Sequence, residues 1–157
     1  MKRTVESCAR EVLETVPVVM RFIRDQVRRR HATGLSLPQF RTLIFLNRVR
    51  DSSLSAVAGH LGLSLPAMSR LINGLVAGGL VRRQTVSTNR RQIALTLTTR
   101  GQATLEKVRS EIRLQLAGWL RVLSVPEQKS IQRAMRTLHN VFGLQTATEG
   151  KTRRSVA

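Results

Sequence analysis

The sequence predicts a mainly α fold (α+β), in which two short helices and a two-stranded hairpin form a central module between long helices. Three observations predict it. Apolar residues recur at spacings of three and four toward both ends of the chain, which is typical of amphipathic helices. A glycine separates two short helical patterns in the middle, and two stretches with period-two alternation follow them. The 157 residues are enough for one domain with a sizeable core.

Two helices are predicted before the central module. The first covers residues 4–30, because its apolar residues recur at helical spacing: Val5, Ala9, Val12, Val16, Met20, Ile23 and Val27. Pro17 predicts a kink or a break within this helix. The run Arg28-Arg29-Arg30 is interpreted as a solvated face, with contact to DNA phosphate as the alternative. The second helix covers Leu37–Arg48, with Pro38 in its first turn.

The central module begins with a short helix opened by Leu54 and Ser55, where Ser55 is placed to act as the N-cap. Gly62 ends this helix, since glycine adopts a positive φ without steric cost. Ser64 is the N-cap candidate of a second helix, whose apolar stripe is Met68, Leu71, Ile72, Leu75 and Val76. Two short helices joined by a glycine-containing turn form a helix-turn-helix.

The other side of the second helix is small or polar. Its arginine can bond guanine O6 and N7, and its alanine can touch a thymine methyl group. The pattern therefore predicts a face that reads base edges in DNA, although an ordinary exposed helix face is the alternative. The candidate DNA contacts on this helix and its cap are Ser64, Pro66, Ala67, Ser69, Arg70 and Asn73.

Period-two alternation predicts strands over Leu80–Val86 and Gln92–Thr98, with a polar tip over residues 87–91. A hairpin in this position completes a winged helix-turn-helix. We expect Arg91 of the tip to enter a minor groove, whose negative potential attracts guanidinium groups, and Arg90 to contact phosphate. A solvated hairpin tip is the alternative. One of Arg82 and Arg83 is expected to contact phosphate, and the pattern does not say which.

The charge distribution favours a polyanionic partner. No Asp or Glu lies between Asp51 and Glu106, a stretch that contains six Arg residues. The whole chain carries a formal net charge of +18, with a sequence pI of about 12.0. Such a balance predicts attraction to nucleic acid first and to an anionic membrane surface second. A protein that coats DNA without sequence preference is therefore the alternative to a sequence-specific regulator.

Two further helices are predicted at the C-terminal end, over residues 99–123 and over Glu127–Phe142, with a break at residues 124–126. Residues 145–157 are polar and basic, and they are predicted to be a disordered tail. The apolar stripes of the terminal helices predict a homodimer platform made of residues 1–35 and 102–144, around a DNA-binding domain of residues 36–101. Intramolecular core is the alternative use of these stripes.

The sequence also excludes several classes of protein. It contains no run of about 18 apolar residues and no signal peptide, so we expect a cytoplasmic protein without a membrane span. The single Cys8 rules out an internal disulfide and a multi-cysteine zinc site. His31, His60 and His139 are too far apart to predict a metal site. No catalytic arrangement is present, so neither enzyme activity nor a cofactor is expected.

Five motifs span the central stretch: Leu54-Ser55-x-Val57-Ala58-x-x-Leu61-Gly62-Leu63-Ser64, Ser69-Arg70-Leu71, Gly79-Leu80-Val81-x-Arg83, Asn89-Arg90-Arg91 and Leu97-Thr98-x-x-Gly101. In these motifs the stretch resembles the MarR family of bacterial transcription regulators. The resemblance implies a dimer that binds a pseudo-palindromic operator in double-stranded DNA. Arg91 matches the arginine of the family's Asp-x-Arg pattern, so the resemblance implies that it inserts into the minor groove. Asn89 stands where the family has Asp, so support of this arginine by a carboxylate is not implied.

The resemblance also implies a small-molecule effector. Family members bind small anionic aromatic molecules between the platform and the DNA-binding module. Here Arg21 or Arg24 can supply the cation, and Phe40 or Phe45 can supply the apolar wall, with plain core as the alternative for both phenylalanines. Some members sense peroxides through a cysteine near the N-terminus, but we interpret Cys8 as a small apolar residue of the platform.

Overall fold

A computed structural model describes the backbone of residues 2–29, 34–86 and 89–152, and the side chains of residues 4–29, 34–85 and 93–143. The described elements are, in order, α1 (Lys2–Arg28), α2 (Leu37–Arg48), α3 (Leu54–Leu61), α4 (Leu65–Ala77), β1 (Val81–Val86), β2 (Asn89–Leu97), α5 (Thr99–Leu120) and α6 (Val125–Thr152). The predicted class, mainly helical with one small sheet, is confirmed. The chain divides into two compact units, Met1–Arg113 and Leu114–Ala157.

The core of the first unit forms where α2, α3, α4, the sheet and the first half of α5 pack together. The predicted stripe of α4 supplies Met68, Ile72 and Leu75, each at most 1% exposed. Full burial of one such side chain contributes about 1.5–3 kcal/mol, so this stripe firmly fixes α4 to the core. The other elements bury Val27, Leu35, Phe40, Leu43, Leu46, Val57, Ala58, Val81, Ala94, Leu95, Leu105, Val108 and Ile112.

The two strands pair antiparallel, with Val81 opposite Leu97 and Gln84 opposite Ala94. The register shifts at Thr85/Val86, so that Val86 pairs with Asn89. Because of this irregularity β2 begins at Asn89, whereas the sequence predicts a tip over residues 87–91 and a strand from Gln92. The prediction of the second strand's start was therefore wrong: residues 89–91 are strand. Ser87 and Thr88 lie outside the described residues.

Helix α1 runs through Pro17 without a break, which contradicts the break that we considered there. A proline inside a helix removes the N–H that would bond the carbonyl four residues earlier. Here that carbonyl belongs to Leu13, and both Leu13 and Pro17 are exposed. Water can therefore replace the missing partner, which allows the helix to continue.

The second unit contains the end of α5 and all of α6. Helix α5 ends at Leu120 rather than at residue 123, and Ser124 donates from its backbone N–H to Glu127 Oε2 at 2.7 Å as α6 begins. Helix α6 continues to Thr152, so residues 145–152 of the predicted tail are helical. Residues 153–157 of that tail lie outside the described residues. Among the described helices, none is long and apolar enough to cross a membrane.

Candidate nucleic-acid interface

The turn before α4 sets the direction of this helix. Gly62 adopts φ 69° and ψ 33°, the left-handed conformation that glycine takes without strain. The N–H groups of Gly62 and Leu63 both donate to the Ala58 carbonyl and thereby close α3. Ser64 then accepts a hydrogen bond from the Ala67 N–H at 3.4 Å. The predictions of a Gly62 turn and of a Ser64 N-cap are therefore confirmed.

The cap of α3 differs from the prediction. Ser53, not Ser55, is the N-cap, and its hydroxyl accepts from the Ala56 N–H at 3.2 Å. Helix α3 already includes Leu54, so Ser55 lies inside its first turn. Spacing in the sequence does not distinguish the two serines, because each lies three residues before a backbone N–H, and the start of the helix at Leu54 decides between them.

The outer face of α4 is available to a partner. Pro66, Arg70 and Asn73 are exposed, while Ala67 and Ser69 are half-buried. At 100° per residue, Pro66, Arg70 and Asn73 lie opposite the buried stripe, and Ala67 and Ser69 border this outer face. The structure therefore brings the predicted base-reading residues together on one exposed face, and their contact with DNA stays a prediction.

The two arginines of β1 have different partners. Arg83 donates from Nη2 to Asn73 Oδ1, which links the first strand to the outer face of α4. Arg82 donates from Nε to Thr96 Oγ1 on β2 at 3.1 Å. Successive residues of a strand point to opposite sides, so only Arg83 joins the α4 face. Sequence reasoning did not find this bond, since it depends on the separation of two elements in space.

A polar clasp joins both ends of the hairpin to α5. Thr98 donates from its hydroxyl to the Gly79 carbonyl at 2.7 Å and accepts from the Gly101 N–H at 2.9 Å. The Thr98 N–H donates to the Leu80 carbonyl. Gly79 has φ 68°, which favours glycine. These bonds fix the base of the wing against the start of α5. They explain why the sequence carries the motifs Gly79-Leu80-Val81 and Leu97-Thr98-x-x-Gly101 at this point.

The wing arginines lie near the start of β2. The backbone of Arg90 and Arg91 is part of that strand, and their side chains lie outside the described residues. Their predicted roles at phosphate and in the minor groove therefore stay predictions. The antiparallel ribbon that carries them is the framework which such an insertion requires.

A histidine and two arginines form a basic cluster on α2 and α3. The His60 ring packs against Phe45, with ring centroids 4.5 Å apart. Burial lowers the pKa of His60 below its ordinary value, and the positive charges of Arg41 and Arg48 lower this pKa further. At pH 7 we therefore expect a neutral His60. Because the folded state binds this proton less readily than the unfolded state, protonation of His60 destabilises the fold. The stability contributed by neutral His60 is therefore present above the unfolded-state pKa and is lost as pH falls through the folded-state pKa.

The residues predicted to hold an effector are found in different environments. Arg21 and Arg24 are exposed on α1. Phe40 is 5% exposed and belongs to the core, while Phe45 is half-buried against His60. The assignment of an effector to these four residues stays a prediction. Cys8 is an exposed free thiol. Within the part of the chain that the structure describes, no group of His, Cys, Asp and Glu is placed to hold a metal ion.

The comparisons with known proteins agree with this geometry. A family model described as MarR family matches residues 33–92. The HTH-type transcriptional repressor Rv2887 of Mycobacterium tuberculosis is 30% identical over 105 residues, which is 67% of this chain and 76% of that protein.

Solved structures show the same fold. Rv1404 from Mycobacterium tuberculosis aligns with a TM-score of 0.76 at 24% identity, over 88% of this chain and 94% of that chain. The Rv2887 complex with salicylic acid aligns with a TM-score of 0.63 at 27% identity, over 81% and 93% respectively. From the exposed face of α4, the hairpin beside it and these relatives, we conclude that the chain belongs to the MarR family of DNA-binding transcription regulators.

Proposed function

We propose that the protein is a dimeric repressor that places α4 in a major groove and the hairpin tip in the adjacent minor groove. The observation that carries this proposal is the outer face of α4, where Arg70 and Asn73 are exposed while the opposite face buries Met68, Ile72 and Leu75 in the core. This face lies within a stretch of sequence that has no carboxylate. A surface that approaches phosphates needs both features. Arg70 and Asn73 read bases, and Arg91 inserts into the minor groove.

Large apolar side chains on the terminal helices support the dimer. They are exposed within a single chain: Val5, Leu13, Val16, Val18 and Val19 on α1; Leu114, Trp119 and Leu120 on α5; Ile131, Met135, Val141 and Phe142 on α6. Exposed apolar surface of this kind marks interaction sites. Residues 1–35 and 102–144 form the dimer platform, and residues 36–101 read DNA. Two α4 helices then contact half-sites about 34 Å apart, one turn of DNA.

We also propose an effector for this regulator, a small aromatic carboxylate. The support is Rv2887, a relative whose crystal structure contains salicylic acid. The effector releases DNA by binding more tightly to a dimer conformation in which the spacing of the two α4 helices no longer matches the spacing of the half-sites. Since the partner is chromosomal DNA, we place the protein in the cytoplasm, and its action requires binding alone, without a catalytic step.

A fluorescence-anisotropy titration at about 150 mM salt tests the function. It compares DNA from upstream of the protein's own gene, or a site selected from random duplexes, with scrambled DNA of equal length. We expect a preference of roughly a thousandfold or more, and a loss of bound DNA when salicylate is added. Equal affinity for every sequence, with a steep loss on adding salt, would instead establish a non-specific DNA-coating protein.

The substitution Arg70→Ala tests the reading face. We expect a loss of about 1–3 kcal/mol of binding free energy for the operator and a smaller loss for scrambled DNA, because Arg70 contacts a base. Arg50→Ala removes the same charge from an exposed position between α2 and α3, outside the proposed dimer platform and the candidate DNA contacts, and serves as the control. If both variants weaken operator binding equally, Arg70 contributes charge alone and is not a base contact.

A further inference from the structure

The bond between Arg83 and Asn73 fixes the orientation of an amide on the proposed reading face. Arg83 Nη2 donates to Asn73 Oδ1, although the two residues belong to different elements, β1 and α4. A guanidinium group has N–H donors and no acceptor. The amide oxygen of Asn73 must therefore face Arg83, and its NH₂ group must point away from Arg83. Chemistry thus settles an orientation that is often ambiguous for asparagine.

This orientation bears on how Asn73 can read a base. An asparagine recognises adenine by accepting a hydrogen bond from the N6 amino group and donating one to N7. Arg83 takes one of the two lone pairs of the Asn73 oxygen and places a positive charge beside it, whereas the donating NH₂ group is left unchanged. An amino group of adenine or cytosine would have to approach an oxygen that is already bonded to a cation. Guanine O6 and N7 and thymine O4 need only the NH₂ group. Adenine N7 can accept from this group too, but the neighbouring N6 amino group must then share the Asn73 oxygen with Arg83, and cytosine offers no acceptor at all.

We infer that Arg83 is a positioning residue that determines specificity, by making Asn73 a donor that favours guanine or thymine over adenine or cytosine. The effect applies to one base position in each half-site. The inference rests on the proposed function, because it requires α4 to enter the major groove. Arg83 has this role because it bonds to Asn73, so another arginine nearby cannot replace it by its charge alone.

Arg82 provides a matched control within the same strand. It is adjacent in sequence and carries the same charge, but it bonds to Thr96 Oγ1 at 3.1 Å on the other side of the strand. Arg82→Ala and Arg83→Ala therefore remove equal charge, and only the second releases the Asn73 oxygen. A general electrostatic role predicts equal effects for the two variants.

The experiment is a selection of duplexes from a random double-stranded DNA library by the full-length wild type, Arg82→Ala and Arg83→Ala. We expect the wild type to enrich guanine or thymine at one position of each half-site. Arg83→Ala should shift this position toward adenine, with a change in relative affinity of about 5- to 150-fold in anisotropy titrations. Arg82→Ala should lower affinity for all sequences alike and leave the enriched bases unchanged.

A second variant, Asn73→Asp, keeps the partner of Arg83 and removes the NH₂ donor. We expect it to lose the preference for guanine or thymine at the same position, because a carboxylate can only accept. If Arg83→Ala and Asn73→Asp both retain the base preferences of the wild type, the inference is overturned while the proposed function stands. Failure of the wild type to enrich any sequence overturns the proposed function and this inference with it.

Discussion

At the scale of single residues, Gly101 shows how closely two backbones approach at the base of the wing. A Cβ atom placed on Gly101 would lie 2.0 Å from the carbonyl oxygen of Leu80. This oxygen belongs to the main chain, which the Thr98 N–H also bonds, so it cannot simply rotate away. The glycine is therefore required by packing, since only a residue without a side chain lets α5 begin against the hairpin.

We expect Gly101→Ala to destabilise the protein by about 1–3 kcal/mol or more, because the overlap with Leu80 forces the backbone to move. The better helix propensity of alanine returns only about 1 kcal/mol. Gly118→Ala, in the same helix with nothing within 4 Å of the added atom, is the control and should be neutral or stabilising. Thermal unfolding measures both variants, and equal melting temperatures would rule out a rigid contact at Gly101.

At the scale of elements, serine hydroxyls define where the short helices begin. Ser36, Ser53 and Ser64 each accept a hydrogen bond from a backbone N–H three residues later. For α2 the bond is reciprocal, since the Ser36 N–H donates to Gln39 Oε1 at 2.8 Å. Short helices are only marginally stable on their own, so these caps help to keep α3 and α4 helical where they pack against the core.

We expect Ser53→Ala to cost about 1 kcal/mol of the free energy of unfolding, the usual effect of removing an N-cap. Ser55→Ala should cost less, about 0.5 kcal/mol, because its hydroxyl caps no backbone N–H and contacts only the exposed Ser53 hydroxyl, at 3.0 Å. Urea denaturation followed by circular dichroism distinguishes the two. A larger loss of unfolding free energy for Ser55→Ala than for Ser53→Ala would show that Ser55 is the N-cap, as the sequence predicted.

At the largest scale, the protein carries two kinds of surface, to which we assign two partners. The cationic module suits DNA, whereas the apolar faces of α1, α5 and α6 suit a second copy of the chain. A dimer doubles the number of DNA contacts and ties them to a fixed spacing, so specificity depends on both surfaces. A loss of the dimer should therefore weaken operator binding even when every DNA-contacting residue remains.

We expect Leu13→Glu to weaken the dimer by tenfold or more, or at least about 1.4 kcal/mol, because Leu13 is 75% exposed on α1. A charge buried at an interface without a partner is strongly unfavourable. Val49→Glu changes another exposed apolar residue, beyond the end of α2, and is the control. Sedimentation velocity over a range of concentrations reports the dimer, and equal behaviour of both variants would place Leu13 outside the interface.

Several features were predictable from the sequence, namely the class of fold, the glycine turn at Gly62, the cap at Ser64 and the buried stripe of α4. These features follow from local rules, since apolar spacing and the φ preference of glycine act over a few neighbouring residues. The start of β2 was predicted wrongly, because strand ends depend on pairing register. Of the kink or break predicted at Pro17, the break was wrong, since the continuation of α1 depends on the exposure of that helix.

The packing of distant elements selects which of two adjacent arginines belongs to the α4 face. Arg82 and Arg83 are equivalent in local sequence, and strand alternation says only that they point to opposite sides. The choice of Arg83 depends on where α4 packs against β1, which brings Asn73 within hydrogen-bond distance. The close contact of Gly101 with Leu80 likewise depends on how the start of α5 packs against the hairpin. Such contacts join residues that are distant in sequence, so no local pattern contains them.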